Sequence, residues 1–239
     1  REPNPGLFIA ESPKVIERAL RAGYRPASLL VEKKELERDL HDLDYEMAAN
    51  QTKGLGQTPI YVASSDLLRQ LPGYNLLRGA LAAMYREKRP DLASFLKGIP
   101  AEHPRIAVLE SVVNPANIGA IFRSAAALGI DGVIVTSDSA DPLYRRASRV
   151  AMGTVFQAPW TYVDAKTWQS GGIDLLHQLG YQTAAMALRH NTVDIDDPQL
   201  GRVDKLVIIL GSEGPGLREK TINQSDFTIK IPMAPGVDS

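Results

Sequence analysis

Apolar and polar positions change places in short blocks along the chain, and the blocks predict alternating strands and helices. In the first half, Leu7–Ala10 is a brief apolar run. Ser12 is suited to cap a helix that Pro13 can open, and Val15, Ile16, Ala19 and Leu20 form its apolar stripe. Gly23 is placed to close that helix in the left-handed conformation. Ser28–Val31 and Pro59–Ala63 read as strands, Lys33–Leu40 and Ser65–Leu71 as short helices, and Gly79–Tyr85 as a further strand. Asn50–Thr58, with Gly54 and Gly56, reads as a polar loop.

The second half alternates more strongly. Arg105–Leu109, Gly132–Thr136, Tyr181–Leu188, Lys205–Leu210 and Phe227–Ile231 read as strands, with Val155–Pro159 a weaker candidate. Helices are expected at 116–129, 141–151, 172–179 and 215–224. This pattern predicts an α/β fold with a parallel sheet covered on both faces. The prolines and glycine at 98–104 place a boundary there, giving domains 1–98 and 104–239.

Composition narrows the chemistry. With 44% hydrophobic residues over 239 positions, the chain can build cores and is not globally disordered. No stretch approaches the roughly 18 apolar residues of a membrane-spanning helix. Zero cysteines exclude disulfides, thiolate catalysis and cysteine-bound zinc, and fit a reducing, cytoplasmic setting. The four histidines, at 41, 103, 177 and 190, have no paired ligand spacing, so no metal is expected. The net charge is −1. Up to residue 103 there are 15 basic and 14 acidic side chains, and beyond it 12 and 14, so any polyanion contact must be local.

Three stretches carry candidate chemistry. The first, Asn114-Pro-Ala-Asn-Ile-Gly-Ala-Ile-Phe-Arg-Ser-Ala125, follows a strand directly, where open α/β sheets place their sites. Ile118, Ile121, Ala125 and Leu128 mark a buried stripe, and Arg123 falls nearly opposite it. Asn117 stands at the helix start, and Gly119 permits close approach of a backbone or ligand. An ordinary amphipathic helix with a capping Asn and a solvated Arg fits the stretch equally well.

The second, Leu206-Val-Ile-Ile-Leu-Gly-Ser-Glu-Gly-Pro-Gly-Leu217, is a buried strand ending in a glycine turn that carries Glu213. Its G-x-x-G-x-G spacing is neither the dinucleotide nor the phosphate-loop fingerprint. A glutamate there suits a neutral or cationic group better than phosphate, or simply complements a helix N-terminus. The third, Ile229-Lys-Ile-Pro-Met-Ala-Pro-Gly-Val-Asp-Ser239, is a strand running into a proline-punctuated loop.

In this order and separation the three stretches resemble the SpoU/TrmH family of RNA ribose methyltransferases, within the SPOUT superfamily. The likeness covers roughly 105–239. More weakly, Gly6-Leu-Phe-Ile-Ala-Glu-Ser and the Asn75–Leu81 stretch resemble the small αβ substrate-binding domain that many members share with ribosomal proteins. The resemblance implies a C-terminal domain with a trefoil knot and transfer of a methyl group from S-adenosylmethionine to a ribose 2′-hydroxyl in RNA. It implies no metal. Ribosomal RNA is favoured over transfer RNA, because two-domain members of this kind often act there, and a homodimer is the default assembly.

By position, the family pattern places the catalytic arginine at Arg123, with Asn117 and Glu213 as neighbours. It places Leu210, Gly211, Ile231 and Met233 at the adenosine moiety, and Ser239 at the start of the third motif's Ser-Leu-Asn. That Leu, that Asn and the helix that threads the knot are absent from the 239 residues. The knot is therefore expected to be incomplete here, and a longer polypeptide is expected. Two basic clusters are candidates for RNA: Lys14, Arg18 and Arg21 on one helix face, and Arg145, Arg146 and Arg149 beside the expected active site. Each also fits a solvated helix face. The rival readings are a noncatalytic RNA-binding protein that kept the fold, and a nucleotide-dependent oxidoreductase, which would need a glycine fingerprint the sequence lacks.

Overall fold

The computed structural model describes residues 6–37, 41, 58–70 and 80–234. Ser239 and most of the expected 50–58 loop lie outside them, as do residues 75–79 of the Asn75–Leu81 stretch. In chain order the first elements are β1 (Leu7–Glu11), α1 (Pro13–Arg21), β2 (Pro26–Glu32), β3 (Ile60–Ala63), α2 (Ser65–Arg69) and β4 (Ala80–Tyr85). Next come α3 (Leu92–Lys97), β5 (Arg105–Leu109), α4 (Pro115–Ala127), β6 (Gly132–Thr136), α5 (Arg145–Val150) and β7 (Trp160–Val163). The last are α6 (Ala165–Gln178), β8 (Gln182–Met186), β9 (Val193–Asp194), α7 (Pro198–Gly201), β10 (Leu206–Leu210), α8 (Glu219–Gln224) and β11 (Phe227–Lys230).

The chain divides into two compact units. The first takes the described residues up to Lys88 together with Pro115–Arg123 and Asp141–Gln157; the second takes the rest. In the first, a four-stranded mixed sheet runs β1-β4-β2-β3, with β4 antiparallel to both neighbours and β2 parallel to β3. Val15, Ile16, Ala19 and Leu20 are buried as the 3.6-residue period requires. Ser12 does not cap α1 through its side chain. It sits at φ +83° and donates its backbone N–H to Ala80 O at 3.0 Å, so sheet pairing takes the role that local capping was expected to play. Gly23, at φ +88°, ends the turn as expected, its N–H bonded to Leu20 O at 2.9 Å.

The 141–157 segment packs into this unit. Phe8, Tyr24 and Phe156 form a cluster with ring centroids 5.3 to 5.7 Å apart. Arg18 Nη1 donates to Met152 O at 2.7 Å. The strand expected at Val155–Pro159 is instead a 3-10 turn over Thr154–Phe156, followed by β7. Gly153, in the left-handed region at φ +83°, turns the chain, and Phe156 N–H returns to Gly153 O at 3.1 Å. Local i→i+3 bonds, here also Gln157 N–H to Thr154 O at 2.9 Å, take backbone groups that a strand would offer to a sheet.

The second unit holds a seven-stranded sheet in the order β7-β6-β5-β10-β8-β11-β9, every pairing parallel. Its two faces bury alternate residues of the same strands. Ala185, Val207 and Ile209 pack with Trp168, Ile173, Leu176 and Ile222 on one side. Ala184, Leu206 and Ile229 pack with Leu200 and Val203 on the other. Such double coverage explains why the strands read as near-continuous apolar runs.

Several helices differ from expectation: α5 begins at Arg145 rather than 141, and Lys33–Glu35 of the helix expected at Lys33–Leu40 is a 3-10 turn. Along α4 the buried residues are Ile118, Phe122 and Ala125, while Ile121 is half-buried and Leu128 is 80% exposed beyond the helix end. The period is right but slips by one position, through Phe122. Helix α6 begins at Ala165 rather than 172, because the Asp164 carboxylate accepts from the N–H groups of Lys166 and Thr167, both at 3.0 Å. Gly171-Gly172 hid its continuity. Helix α8 begins at Glu219 rather than 215, since Pro215 belongs to the preceding turn.

Candidate functional site

Strands β10, β8 and β11 are neighbours in a parallel sheet, so their carboxyl ends lie side by side along one edge. Three chain segments leave that edge: 187–192 after β8, 211–218 after β10, and 231–234 after β11. Ligands of open α/β sheets bind at such an edge.

The 211–218 turn folds back tightly. Ser212 and Gly216 form an antiparallel bridge, and Gly216 sits at φ +70°. A side chain on Gly211 would place its Cβ 2.4 Å from Gly216 C and 2.5 Å from Leu217 N, so only glycine fits there. Glu213 is exposed at the turn and engages a neighbour. Ser212 Oγ is buried without a hydrogen-bond partner among the described residues. An orphaned buried hydroxyl wants a ligand or solvent partner. Past β11, Ile231 and Met233 are 47% and 48% exposed, which is unusual for large apolar side chains on a sheet edge.

Sequence reasoning did not single out the segment after β8. There Thr192 Oγ1 accepts from Arg189 N–H at 2.6 Å and donates to Ala187 O at 3.1 Å, while Arg189 Nη2 meets Glu219 Oε1 at 2.6 Å. Its only signal was a strand followed by polar residues, and strand adjacency cannot be read from that.

A polar network fixes the ends of β5 and β6. Ser111, in the left-handed region at φ +56°, takes Thr136 Oγ1 as acceptor for its N–H at 3.0 Å. Asp138 receives Ser111 Oγ at 2.7 Å, Thr136 Oγ1 at 2.5 Å and Arg218 Nη2 at 2.7 Å. Burial pushes the Asp138 carboxyl up, but the Thr136 and Ser111 hydroxyls and the Arg218 guanidinium outweigh it and hold it below the ordinary 3.8. A depressed folded-state value stabilises the fold above the unfolded pKa, and the contribution vanishes only as the pH falls through the folded one. The Asp138–Arg218 pair is therefore intact at neutral pH.

The remaining expected residues belong to the first unit. Arg123 is exposed on α4, and Asn117, in its first turn, is half-buried and hydrogen-bonded or otherwise engaged. Gly119 is needed where α4 meets α5: a Cβ would stand 2.4 Å from Ala147 O and 2.8 Å from Val150 Cβ. The residues expected to be catalytic are thus divided, with Asn117 and Arg123 in one unit and Glu213 in the other.

The basic clusters are partly committed. Arg149 Nη1 lies 3.2 Å and Arg145 Nε 3.8 Å from the carboxylate of Glu11, which is only 4% exposed. Arg18 serves Met152 O, and Arg21 pairs with Glu17 at 2.7 Å. Lys14 and Arg146 are exposed. Among the described residues there is no cluster suited to a metal ion, and no helix is long and apolar enough to cross a membrane.

Taken together, a doubly covered parallel sheet with a glycine–glutamate turn and an orphaned hydroxyl at its carboxyl edge defines a ligand-binding α/β unit without a dinucleotide fingerprint. Residues 104–239 match the SpoU rRNA Methylase family, and the chain belongs to that family. It is 35% identical over 235 residues to a Mycobacterium bovis protein named an uncharacterized tRNA/rRNA methyltransferase, covering 98% of this chain and 75% of that protein. It is 36% identical over 140 residues to the 23S rRNA (guanosine-2'-O-)-methyltransferase RlmB of Vibrio cholerae, covering 58% of this chain and 53% of that one.

Solved structures share the fold. The SpoU methyltransferase AviRb from Streptomyces viridochromogenes, in complex with the cofactor AdoMet, superposes with a TM-score of 0.77 at 24% identity, covering 98% of this chain and 84% of that chain. The AdoMet-bound rRNA methyltransferase from Sinorhizobium meliloti gives 0.75 at 22% identity, covering 98% and 81%.

Proposed function

We propose that this chain methylates a ribose 2′-hydroxyl in RNA, with S-adenosylmethionine as donor and ribosomal RNA favoured over transfer RNA. The observation that carries the reading is the 211–218 turn, whose cramped Gly211 and buried Ser212 Oγ, without a hydrogen-bond partner among the described residues, lie on the same carboxyl edge as the exposed Ile231 and Met233, with β8 between them. An apolar surface with one unsatisfied hydroxyl fits an adenosyl group, which offers a flat apolar ring and polar edges. Leu210, Gly211, Ile231 and Met233 would hold that group, joined by Ser239, with the 187–192 segment adjoining. When bound, the cofactor supplies an electrophilic methyl group attached to a cationic sulfur.

The protein's own residues orient the RNA and handle one proton. Arg123 engages the ribose, as base or as a clamp on the adjacent phosphate, with Asn117 and Glu213 assisting. Residues 1–98 serve as the RNA-binding domain and 104–239 as the methyltransferase domain. The active assembly is a homodimer in which one subunit serves the other's site, and it works in the cytoplasm. Mapping 2′-O-methyl positions in RNA with and without the protein tests the activity. Calorimetric titration with S-adenosylmethionine separates an enzyme from an RNA-binding protein that merely kept the fold, which would bind RNA and not the cofactor.

For RNA binding, Lys14, Arg18, Arg21, Arg145, Arg146 and Arg149 are the proposed contacts, and the pairings above rank them. Arg146 is exposed, whereas Arg145 and Arg149 share Glu11. Arg146→Ala is expected to weaken RNA binding and to reduce the salt slope by roughly 0.7–0.9, the share of one phosphate contact. An unchanged slope removes Arg146 from the RNA surface.

A further inference from the structure

Glu110 is the residue that follows β5, and its side chain is among the most buried charged groups of the chain, at 1% exposure. Its carboxylate is surrounded by donors. Oε2 accepts from Trp168 Nε1 and from Thr221 Oγ1, each at 2.6 Å, and Oε1 accepts from the backbone N–H of Arg218 at 2.9 Å. Its own N–H donates to Leu210 O at 2.8 Å. One residue therefore grips the last residue of β10, just before the 211–218 turn, through its backbone, and the residue closing that turn through its carboxylate.

The role goes beyond holding the core. Thr221 and Trp168 lie on α8 and α6, but Arg218 is the residue from which the turn bearing Gly211, Ser212 and Glu213 descends into α8. The Arg218 side chain is held independently by Asp138 and Ser111, at 2.7 and 3.3 Å. Without Glu110, that side-chain anchor would remain and the backbone anchor would not. Two of these donors are N–H groups that cannot accept, one at each carboxylate oxygen, so an amide nitrogen faces a donor in either orientation. With its nitrogen against Arg218 N–H the amide breaks the anchor at the turn itself, and with its nitrogen against Trp168 Nε1–H it leaves the Arg218 bond neutral and weaker.

We propose that Glu110 is a positioning residue for the cofactor site, setting the 211–218 turn through the Arg218 backbone. The inference rests on the reading of that turn as the S-adenosylmethionine site. Two measurements test it. In the wild-type protein without cofactor, hydrogen exchange should find the Arg218 amide protected at least about a hundredfold more than the amide of Gly214, which is exposed in the same turn. Equal exchange at the two amides overturns the proposal.

Glu110→Gln should bind S-adenosylmethionine about tenfold or more weakly by calorimetry, because a charge-assisted bond is lost and a donor is left facing a donor. Its KM for the cofactor should rise by the same factor, while its KM for RNA stays unchanged. Thr221→Val, which removes a donor to Oε2 and leaves the Arg218 bond, should keep cofactor affinity within about twofold while lowering the melting temperature. A folded Glu110→Gln with wild-type affinity overturns the proposal, and so does a Thr221→Val that loses affinity as severely. If Glu110→Gln does not fold, the exchange comparison in the wild-type protein decides. If the wild-type chain itself binds no S-adenosylmethionine, the functional reading fails, and the exchange result still says whether Glu110 sets the turn.

Discussion

Arg123→Ala is expected to lower methyl transfer by about 10²–10⁴-fold, the span by which a positioned proton-handling or charge-stabilising group contributes to a rate. The effect should fall on turnover and not on stability. Arg123 is exposed on α4, and exposed substitutions of this kind usually stay within about 0.5 kcal/mol. The cofactor's dissociation constant should likewise stay near wild type, because the proposed adenosine contacts all lie in the other unit. A guanidinium remains protonated throughout the accessible pH range, so it is a poor base in isolation and a good fork for phosphate oxygens. Arg123→Lys separates charge from geometry. It keeps the former and loses the fork, and it should recover little of the lost rate. Single-turnover assays with saturating cofactor would show this, and near-wild-type turnover in Arg123→Lys excludes a specific role for the guanidinium.

How much of this could be read from the chain alone differs between its parts. The parallel sheet was legible because strands buried on both faces spell themselves out as apolar runs: β6 and β10 need no tertiary information to be found. Short elements were not. Val193–Asp194 becomes β9 only because β11 lies alongside it, and no property of two residues can announce that. Thr154–Phe156 carried strand-like composition, yet the positive φ of Gly153 and its packing against α1 curled it into a turn.

The candidate site shows the same division. The glycine turn carrying Gly211 and Glu213 was legible as a turn after a buried strand, but only the family resemblance, and not the spacing, pointed to a site there. Glu110 was not legible, because a glutamate at a strand end looks like any solvated charge until three donors from distant positions converge on it. The pairing within the arginine cluster was hidden for a related reason. A run of three arginines reads as free positive charge, whereas Glu11, 134 residues before Arg145, sits beneath two of them. Charge pattern along a chain counts residues, but only the fold says which are already paired.

Gly211→Ala is expected to abolish measurable cofactor binding and to destabilise the second unit by about 1–3 kcal/mol, the usual cost of forcing an added methyl group into a packed site. The added Cβ would lie 2.4 Å from Gly216 C, 2.5 Å from Leu217 N and 2.7 Å from Gly216 O. All three are backbone atoms, so no flexible side chain can swing aside. The turn must open, and opening breaks the Ser212–Gly216 bridge that gives it its shape. Leu217, 7% exposed and part of the core, resists moving inward with it. The adjacent Gly214 provides the control. A Cβ there meets nothing within 4 Å, so Gly214→Ala should retain both stability and affinity. Thermal melts followed with and without S-adenosylmethionine give both quantities in one experiment, because a ligand that binds only the folded state raises the midpoint by an amount that grows with the logarithm of its concentration over its dissociation constant. Gly214→Ala should melt later in the presence of cofactor and Gly211→Ala should not. A Gly211→Ala protein that melts at the wild-type temperature and shifts with cofactor as the wild type does would show that the close approach of Gly211 to Gly216 does not shape the site.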